Sequence, residues 1–143
     1  MACVNRAPEG TFGAAVAEVG VFDLLKFPQF TGGKNWISEY GNPDDPEDFY
    51  FIFPISPLHS PWTEQEYPPV LLMTADNDTR VPPLHSFKLA ALLQNNRPDD
   101  THSVFLRINK NAGHGPGKPT DQRIRELADK YCFIAKSMDL IMV

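Results

Sequence analysis

The chain has 143 residues, 42% of them hydrophobic and 22% charged, which is ordinary for one soluble domain with a sizeable core. Its formal net charge of −5, without any block of Lys or Arg, argues against a nucleic-acid partner. The lack of a run of about 18 apolar residues argues against a membrane span.

Helical and strand patterns alternate in the first half of the chain. Residues 2–6 have the pattern of the end of a helix, and the small and β-branched residues at 13–19 predict a short buried strand. The next predicted elements are a short helix or turn at 23–30, a helical turn at 35–41 and an acidic, proline-rich loop at 42–48.

The second half carries clearer patterns, after an aromatic segment at 49–56 that fits either a helix or a strand. The continuous apolar run 70–74 predicts a strand that is covered on both faces. A helix with one apolar face is predicted at 84–94. The remaining elements are a turn at 95–100, a strand at 103–108 and a helix at 120–138 whose apolar residues follow the 3.6-residue period.

This alternation of strands and helices predicts the fold class. It favours an α/β fold with a parallel sheet flanked by helices. Only about three strands are predicted, whereas open sheets of this kind usually contain more. We therefore expect a sheet that is truncated on its N-terminal side and whose unpaired strand edge promotes aggregation.

Two of the predicted strands end in unusual polar residues. Asp76, Asp78 and Arg80 follow the second strand, and His114 follows the third between two glycines. Sites in open α/β sheets lie outside the carboxyl ends of the strands, and the glycines are expected to let the histidine loop approach other backbone closely. The order Asp then His, each after its own strand, matches the last two members of the Ser, Asp, His triad of α/β-hydrolases.

Plainer interpretations compete with this one. An isolated Asp at a strand end commonly forms a turn or a helix cap, and an isolated His in a glycine-rich loop is commonly a surface residue. No G-x-S-x-G nucleophile elbow, metal-ligand spacing or phosphate-binding loop occurs, so neither a metal nor a cofactor is expected. The other histidines, which stand in loop or helix contexts, are predicted to be structural: His59, His85 and His102.

Several segments of the sequence resemble the prolyl oligopeptidase family of serine peptidases. Residues 72–86 (LMTADNDTRVPPLHS) resemble its catalytic-acid segment, and residues 111–119 (NAGHGPGKP) resemble its histidine loop. Residues 19–27 and 36–41 resemble the segments that build its proline pocket, and the SPLH sequence at 56–59 also fits. Together these segments cover nearly the whole chain.

The resemblance implies a role for each matching residue. Asp78 corresponds to the acid of the triad and His114 to its base. Arg80 corresponds to the arginine that binds the substrate carbonyl before proline, and Trp36 to the indole that stacks on the proline ring. Without the resemblance, we would interpret Trp36 and Tyr40 as an aromatic pair in the core. The apolar neighbours in the pocket are Val21, Tyr40 and Val81.

The resemblance therefore implies that residues 1–143 are the C-terminal part of an α/β-hydrolase domain, without the nucleophile elbow and the β-propeller of the family. The whole enzyme is expected to cleave short proline-containing peptides after proline, whereas this chain alone is expected to be inactive and to need the missing N-terminal part. One alternative is a non-catalytic protein that binds such peptides through Trp36 and Arg80. Another is a different oligopeptidase of the same fold, which the aromatic pocket residues disfavour.

The first residues and the cysteines indicate the expected compartment. The N-terminal segment lacks a basic start followed by a long apolar region, so a signal peptide is not expected. Cys3 and Cys132 are far apart and too few for a disulfide framework, so we expect reduced thiols and a cytoplasmic location.

Overall fold

The sheet of this protein is parallel and has its longest strands beside the predicted site. The computed structural model describes residues 1–60, 67–96, 103–115 and 117–141. Three strands form the sheet in the order of the chain: β1 (Ala15–Glu18), β2 (Val70–Ala75) and β3 (Val104–Asn109). Ala15 of β1 and Val104 of β3 both lie opposite Val70 of the central strand. The predicted parallel α/β architecture is confirmed.

Strand β2 is the centre of the molecule because all six of its residues are buried. Val70 and Leu72 lie two residues apart and therefore point to one face of the sheet. They share a core cluster with Leu89 and Leu93 of α4 (Leu84–Asn95), which packs against the sheet. Full burial of an aliphatic side chain is worth roughly 1.5–3 kcal/mol, so this layer fixes the position of β2.

The segment between β1 and β2 consists of short helical pieces. They are a 3₁₀ turn at Phe27–Gln29, a 3₁₀ turn at Gly33–Trp36, α2 (Ile37–Tyr40), α3 (Pro46–Ile52) and a 3₁₀ turn at Phe53–Ile55, and they follow α1 (Ala2–Arg6). The aromatic segment 49–56, which fitted either conformation, is thus mostly helical.

The predicted acidic loop at 42–48 is wrong in its second half, because α3 already begins at Pro46. The carboxylate of Asp45 caps this helix by accepting the N–H groups of Glu47 and Asp48. Pro46 occupies the first helical position, where its missing N–H costs nothing. An Asp followed by Pro and two acids is a helix-start pattern, and it outweighs the loop character of the segment.

Helix α5 (Thr120–Ser137) ends within one residue of its predicted boundary, but most of its apolar stripe is not covered. Ile124 and Tyr131 are 61% and 62% exposed, and Leu127 is 46% exposed. Polar contacts hold the helix to the rest of the structure, including ion pairs from Lys130 to Glu18 and from Arg107 to Asp129.

Two predictions reach residues outside the described part of the chain. The predicted turn at 95–100 is described only as far as Asn96, the residue that caps the C-terminus of α4, and His102 lies outside the described residues. Among the residues that are described, no helix has the length and apolar character needed to cross a bilayer.

Candidate active site at the carboxyl end of the sheet

Asp78 lies in the turn that follows β2, and its carboxylate is held by the backbone of that turn. The side chain is fully buried. Its Oδ1 accepts the N–H groups of Arg80 and Val81, each at 2.9 Å. Such a turn is typical of Asp, whose short side chain bonds the backbone two or three residues later. The turn leaves Oδ2 directed toward the next loop.

His114 approaches Asp78 from the loop that follows β3. Its Nδ1–H donates a hydrogen bond to Oδ2 of Asp78 over 2.7 Å. The imidazole is 27% exposed whereas the carboxylate is not exposed at all. A carboxylate on Nδ1 fixes the tautomer in which Nε2 carries a lone pair, and this nitrogen can accept a proton at the open side of the site.

Asp76 joins the two loops. Its Oδ2 accepts the N–H of Asn111 at 3.0 Å and its Oδ1 accepts the N–H of Ala112 at 3.2 Å. The backbone N–H groups of Asp76 and Asn77 donate to the carbonyls of Asn109 and Ala112, both at 3.0 Å. The N–H of Asn111, and less strongly that of Ala112, holds the pKa of Asp76 below its ordinary value. The sequence predicts Asp76 at this strand end but does not indicate its role.

The two glycines beside His114 were expected to let the loop approach other backbone closely, but the structure shows a different role for them. A Cβ on Gly113 would lie 3.7 Å from the carbonyl oxygen of Asn77, which is an ordinary contact. Gly115 has a φ of +75°, which L side chains rarely adopt. The expected close packing is therefore absent at Gly113, and the requirement at Gly115 is a left-handed turn.

The predicted pocket residues Val21 and Trp36 pack against one apolar cluster. The buried members of this cluster are Leu24, Phe27 and Ile52. Tyr40, which is 42% exposed, also contacts it through the ring of Phe27, with ring centres 5.6 Å apart in an edge-on arrangement. Trp36 and Tyr40 thus both adjoin this cluster, and both are at least partly exposed.

The other two pocket residues, Arg80 and Val81, directly follow the catalytic-acid candidate. Arg80 is exposed and Val81 is buried. The hydroxyl of Thr31 donates to the carbonyl oxygen of Arg80 at 3.3 Å, which connects the segment of the apolar cluster to the acid loop. The five predicted pocket residues therefore lie on two segments that are tied together.

A buried ionic group, missed by the sequence analysis, anchors the same segment. Asp23 is fully buried, accepts the N–H groups of Leu25 and Lys26, and forms an ion pair with Lys88 of α4. Its own N–H donates to Nδ1 of His85, also on α4, at 3.2 Å. Burial lowers the pKa of His85 to about 4, so this histidine is neutral near pH 7. The anchoring role of Asp23 becomes visible only in the folded structure, where it contacts His85 and Lys88.

Ser56 and His59 complete this buried group and repeat the residue types of a triad. The Ser56 hydroxyl lies 2.9 Å from Nδ1 of His59, whose Nε2 is 3.9 Å from Asp23. Ser56 is fully buried, and its oxygen accepts the N–H of Leu24, so it has no access to a substrate. Burial also lowers the pKa of His59. We read Ser56, His59 and His85 as structural residues, and within the described ranges no cluster of His, Cys, Asp and Glu is arranged to hold a metal.

The chain matches one protein family over almost its whole length. Residues 1–140 match the prolyl oligopeptidase family. The sequence is 62% identical over 140 residues to prolyl oligopeptidase A of Galerina marginata, which covers 98% of this chain and 19% of that protein. It is 52% identical over 141 residues to a dual function macrocyclase-peptidase of the same fungus, again over 98% of this chain and 19% of that protein. The chain thus spans about a fifth of the length of these relatives.

The structure matches the same family. Prolyl oligopeptidase B of Galerina marginata, solved with a 35mer hydrolysis and macrocyclization substrate and with a serine replaced by alanine, superposes with a TM-score of 0.92 at 51% identity. The match covers 99% of this chain and 20% of that one. A post-proline cleaving enzyme from Rickettsia typhi superposes with a TM-score of 0.87 at 28% identity, over the same shares of the two chains. This chain therefore belongs to the prolyl oligopeptidase family and has the fold of part of its α/β-hydrolase domain.

Proposed function

We propose that this chain supplies the acid, the base and the proline pocket of a serine peptidase that cleaves peptides after proline. The observation that carries the proposal is the 2.7 Å hydrogen bond between buried Asp78 and partly exposed His114 at the carboxyl end of the sheet. Two groups from successive loops meet there in the order and orientation that acyl transfer requires.

The proposed reaction needs a serine from outside these 143 residues, since no serine of the sequence stands in a G-x-S-x-G elbow. Nε2 of His114 accepts the serine proton while the serine oxygen bonds to the scissile carbonyl carbon. The carbon–nitrogen bond then breaks, and the same proton passes to the leaving amine. Water hydrolyses the acyl-enzyme in a second round, and Asp78 stabilises the imidazolium each time.

The proposed pocket explains the preference for proline. Trp36 offers a flat indole that is supported from behind by the Leu24, Phe27 and Ile52 cluster, and a flat wall suits a rigid pyrrolidine ring. The proposed ligand of Arg80, an exposed residue, is the substrate carbonyl that precedes the proline. Misfit in an apolar pocket discriminates by about 1–3 kcal/mol for each methylene, so larger rings and branched side chains would be disfavoured.

The relatives support a peptide substrate. Three similar structures of prolyl oligopeptidase B from Galerina marginata contain a 35mer or 25mer peptide substrate and have a histidine, a serine or an aspartate replaced by alanine, which are the three residue types of a triad. By analogy we propose peptides as the ligands of this chain and the rest of the enzyme as its partner. We also propose a cytoplasmic location, on the cysteine usage of the sequence alone.

A chimera tests the proposal. Residues 1–140 replace the matching segment of prolyl oligopeptidase A from Galerina marginata, and turnover of a fluorogenic Gly-Pro peptide is measured beside the 143-residue chain alone. We expect turnover by the chimera only, with Asp78→Asn lowering kcat about 10⁴-fold, as removal of the acid does in other triads. Asp121→Asn, which changes an exposed acid on α5, is the matched control and should leave kcat unchanged.

Each outcome of this experiment separates the proposal from its rivals. A folded chimera without turnover that binds the peptide would favour the non-catalytic peptide-binding protein. Turnover that survives both Asp78→Asn and His114→Ala would show that other residues carry the reaction. Turnover by the isolated chain would mean that a nucleophile lies within the 143 residues.

A further inference from the structure

We propose that Asp76 is a positioning residue for His114, whose carboxylate holds the histidine loop so that Nδ1 faces Asp78. The inference rests on the proposed roles of Asp78 and His114. Asp76 is not itself in contact with the imidazole in the hydrogen-bond pattern described above, so its action would pass through the backbone of the loop.

The geometry that carries this inference is a two-pronged contact. The two oxygens of Asp76 accept two successive N–H groups, those of Asn111 and Ala112, at 3.0 and 3.2 Å. His114 stands only two residues beyond the second of them. A carboxylate that binds two consecutive N–H groups restricts both the position and the direction of the peptide unit between them, and hydrogen bonds to charged groups are the stronger kind.

The loop needs such a restraint because its backbone is unusual at both ends. Asn111 has a φ of +53° before the histidine and Gly115 has a φ of +75° after it. A non-glycine residue in the left-handed region is tolerated best when its surroundings impose it. Asp76 bonds directly to the N–H of Asn111, so it stabilises the conformation at the point where the loop leaves β3.

Asp76 can be changed without disturbing the core. It is half-buried and follows the last paired residue of β2, Ala75, which lies opposite Asn109 of β3. The ladder of β2 and β3 and the turn around Asp78 use other atoms. Replacing Asp76 should therefore alter the placement of His114 much more than the global stability.

The test measures the tautomer of His114 by ¹⁵N NMR of the ring nitrogens, at a pH of about 8.5, where histidines are ordinarily neutral. The 143-residue chain carries Ile124→Glu and Leu127→Lys on the exposed face of α5 in every sample, to reduce self-association. With Asp76 unchanged, the chain is expected to show the Nδ1–H tautomer for His114, whereas an imidazole free in water favours Nε2–H.

Asp76→Ala should shift the ratio of the two tautomers toward Nε2–H by about tenfold or more. This is the effect expected when the hydrogen bond from His114 to the charged Asp78 is lost. The amide protons of Asn111 and Ala112 should exchange faster as well.

A matched control and a milder variant keep the result interpretable. Asp45→Ala also removes a carboxylate that accepts two backbone N–H groups, but at the start of α3, and it should leave the tautomer of His114 unchanged. Asp76→Asn keeps one acceptor oxygen and should give an intermediate ratio; it replaces the alanine variant if that variant unfolds. A full Nδ1–H population in both Asp76 variants would overturn the positioning role. If the Nδ1–H tautomer of His114 is absent even when Asp76 is unchanged, that result would instead count against the proposed Asp78–His114 site.

Discussion

The backbone of Arg80 makes structural contacts, whereas its side chain has the proposed role in substrate binding. Its N–H donates to Asp78 and its carbonyl accepts the hydroxyl of Thr31, while its guanidinium is exposed. The backbone contacts would survive a change of side chain. Arg80 is therefore a position at which the proposed substrate binding can be separated from folding.

We expect Arg80→Met in the chimera to lower kcat/KM by about 10- to 150-fold, because a hydrogen bond to a charged group is worth about 1.5–3 kcal/mol. The measurement is turnover of the Gly-Pro peptide together with the unfolding midpoint in urea, which should not move. Arg125→Met, which removes an exposed guanidinium paired with Asp121, is the control and should change neither quantity. Equal kcat/KM values for the Arg80 and Arg125 variants would remove Arg80 from the pocket.

His85 makes the stability of the fold depend on pH. Burial lowers its folded-state pKa to about 4 from an ordinary value of 6.5, so the unfolded chain binds the proton more readily. The stability is then fully present above pH 6.5 and is lost as the pH falls from there toward 4. Asp23 and Lys88 are the charged groups that face this ring, and they act in opposite directions.

We expect the free energy of unfolding to fall by about 2 kcal/mol between pH 7 and pH 5, since each pKa unit is worth about 1.4 kcal/mol. Urea titrations of the chain at both pH values measure it. In His85→Asn, whose amide oxygen can still accept the N–H of Asp23, the decrease should be clearly smaller. The same decrease in the variant would show that His85 is not the group that titrates.

The residues of the site were predictable to different degrees from the sequence. Asp78 and His114 stand out because each follows an apolar strand, and the chain order of an α/β-hydrolase pairs them. The tasks of Asp76 and Asp23 were not predictable, because their partners lie 35 and 65 positions away. A carboxylate that binds backbone N–H groups leaves no pattern in its own segment, so only the folded backbone shows its role.

At the scale of elements, α4 connects the sheet to the segment of the proposed pocket. One face of α4 packs on β2, and its first half offers His85 and Lys88 to Asp23. The segment 21–30 contains few residues with regular hydrogen bonds, so these side-chain contacts replace the backbone ladder that a strand would have. The segment of the proposed pocket is thus held by charge as well as by apolar packing.

We expect Lys88→Met to destabilise the chain by about 2 kcal/mol, because it leaves a fully buried carboxylate without its cation while the lysine itself is partly exposed. Urea unfolding measures the difference. Lys130→Met, which removes a surface ion pair with Glu18, should cost less than about 1 kcal/mol. A Lys88 variant no less stable than the Lys130 variant would show that Asp23 is satisfied by the backbone alone.

Regular elements were predicted well where the sequence carries a clear apolar pattern. The run 70–74 and the helices at 84–94 and 120–138 lie within one residue or so of β2, α4 and α5, because the first is a continuous apolar run and the two helices repeat apolar residues at helical spacing. The short helical pieces between β1 and β2 were predicted less well, because one 3₁₀ turn contains too few residues to show a period. There the start of α3 was decided by its cap at Asp45.

At the scale of the whole molecule, the described residues include two groups of exposed apolar side chains on helices. One is the stripe on α5 formed by Ile124, Leu127 and Tyr131. A separate groove of about 640 Å³ between β3 and α5 includes Phe105 and Phe133 and shares none of these three residues. The other is the aromatic face of α3, where Tyr50 and Phe51 are 75% and 71% exposed. Contiguous apolar surface of this kind marks contact sites or causes association. Relatives about five times longer have additional chain that could cover it.

We expect the isolated chain to self-associate at micromolar concentration and to bind a hydrophobic dye. Ile124→Glu combined with Leu127→Lys should reduce both, because it places charges in the exposed stripe of α5. Sedimentation velocity and dye fluorescence measure the effect, and the exposed polar substitutions Gln122→Glu and Arg123→Lys on the same helix serve as the control. A monomeric unchanged chain would show that the stripe is not adhesive.

The parallel register of β2 and β3 also determines when the proposed site can form during folding. Val70 meets Val104, so a long loop must close before the first pair forms, and such non-local pairing is slow. A slip of one residue would displace β3 by about 3.3 Å and turn its side chains to the other face. That displacement exceeds the 2.7 Å contact between Asp78 and His114, which therefore exists in one register only. We therefore expect the appearance of this contact during folding to report that β2 and β3 have paired in their native register.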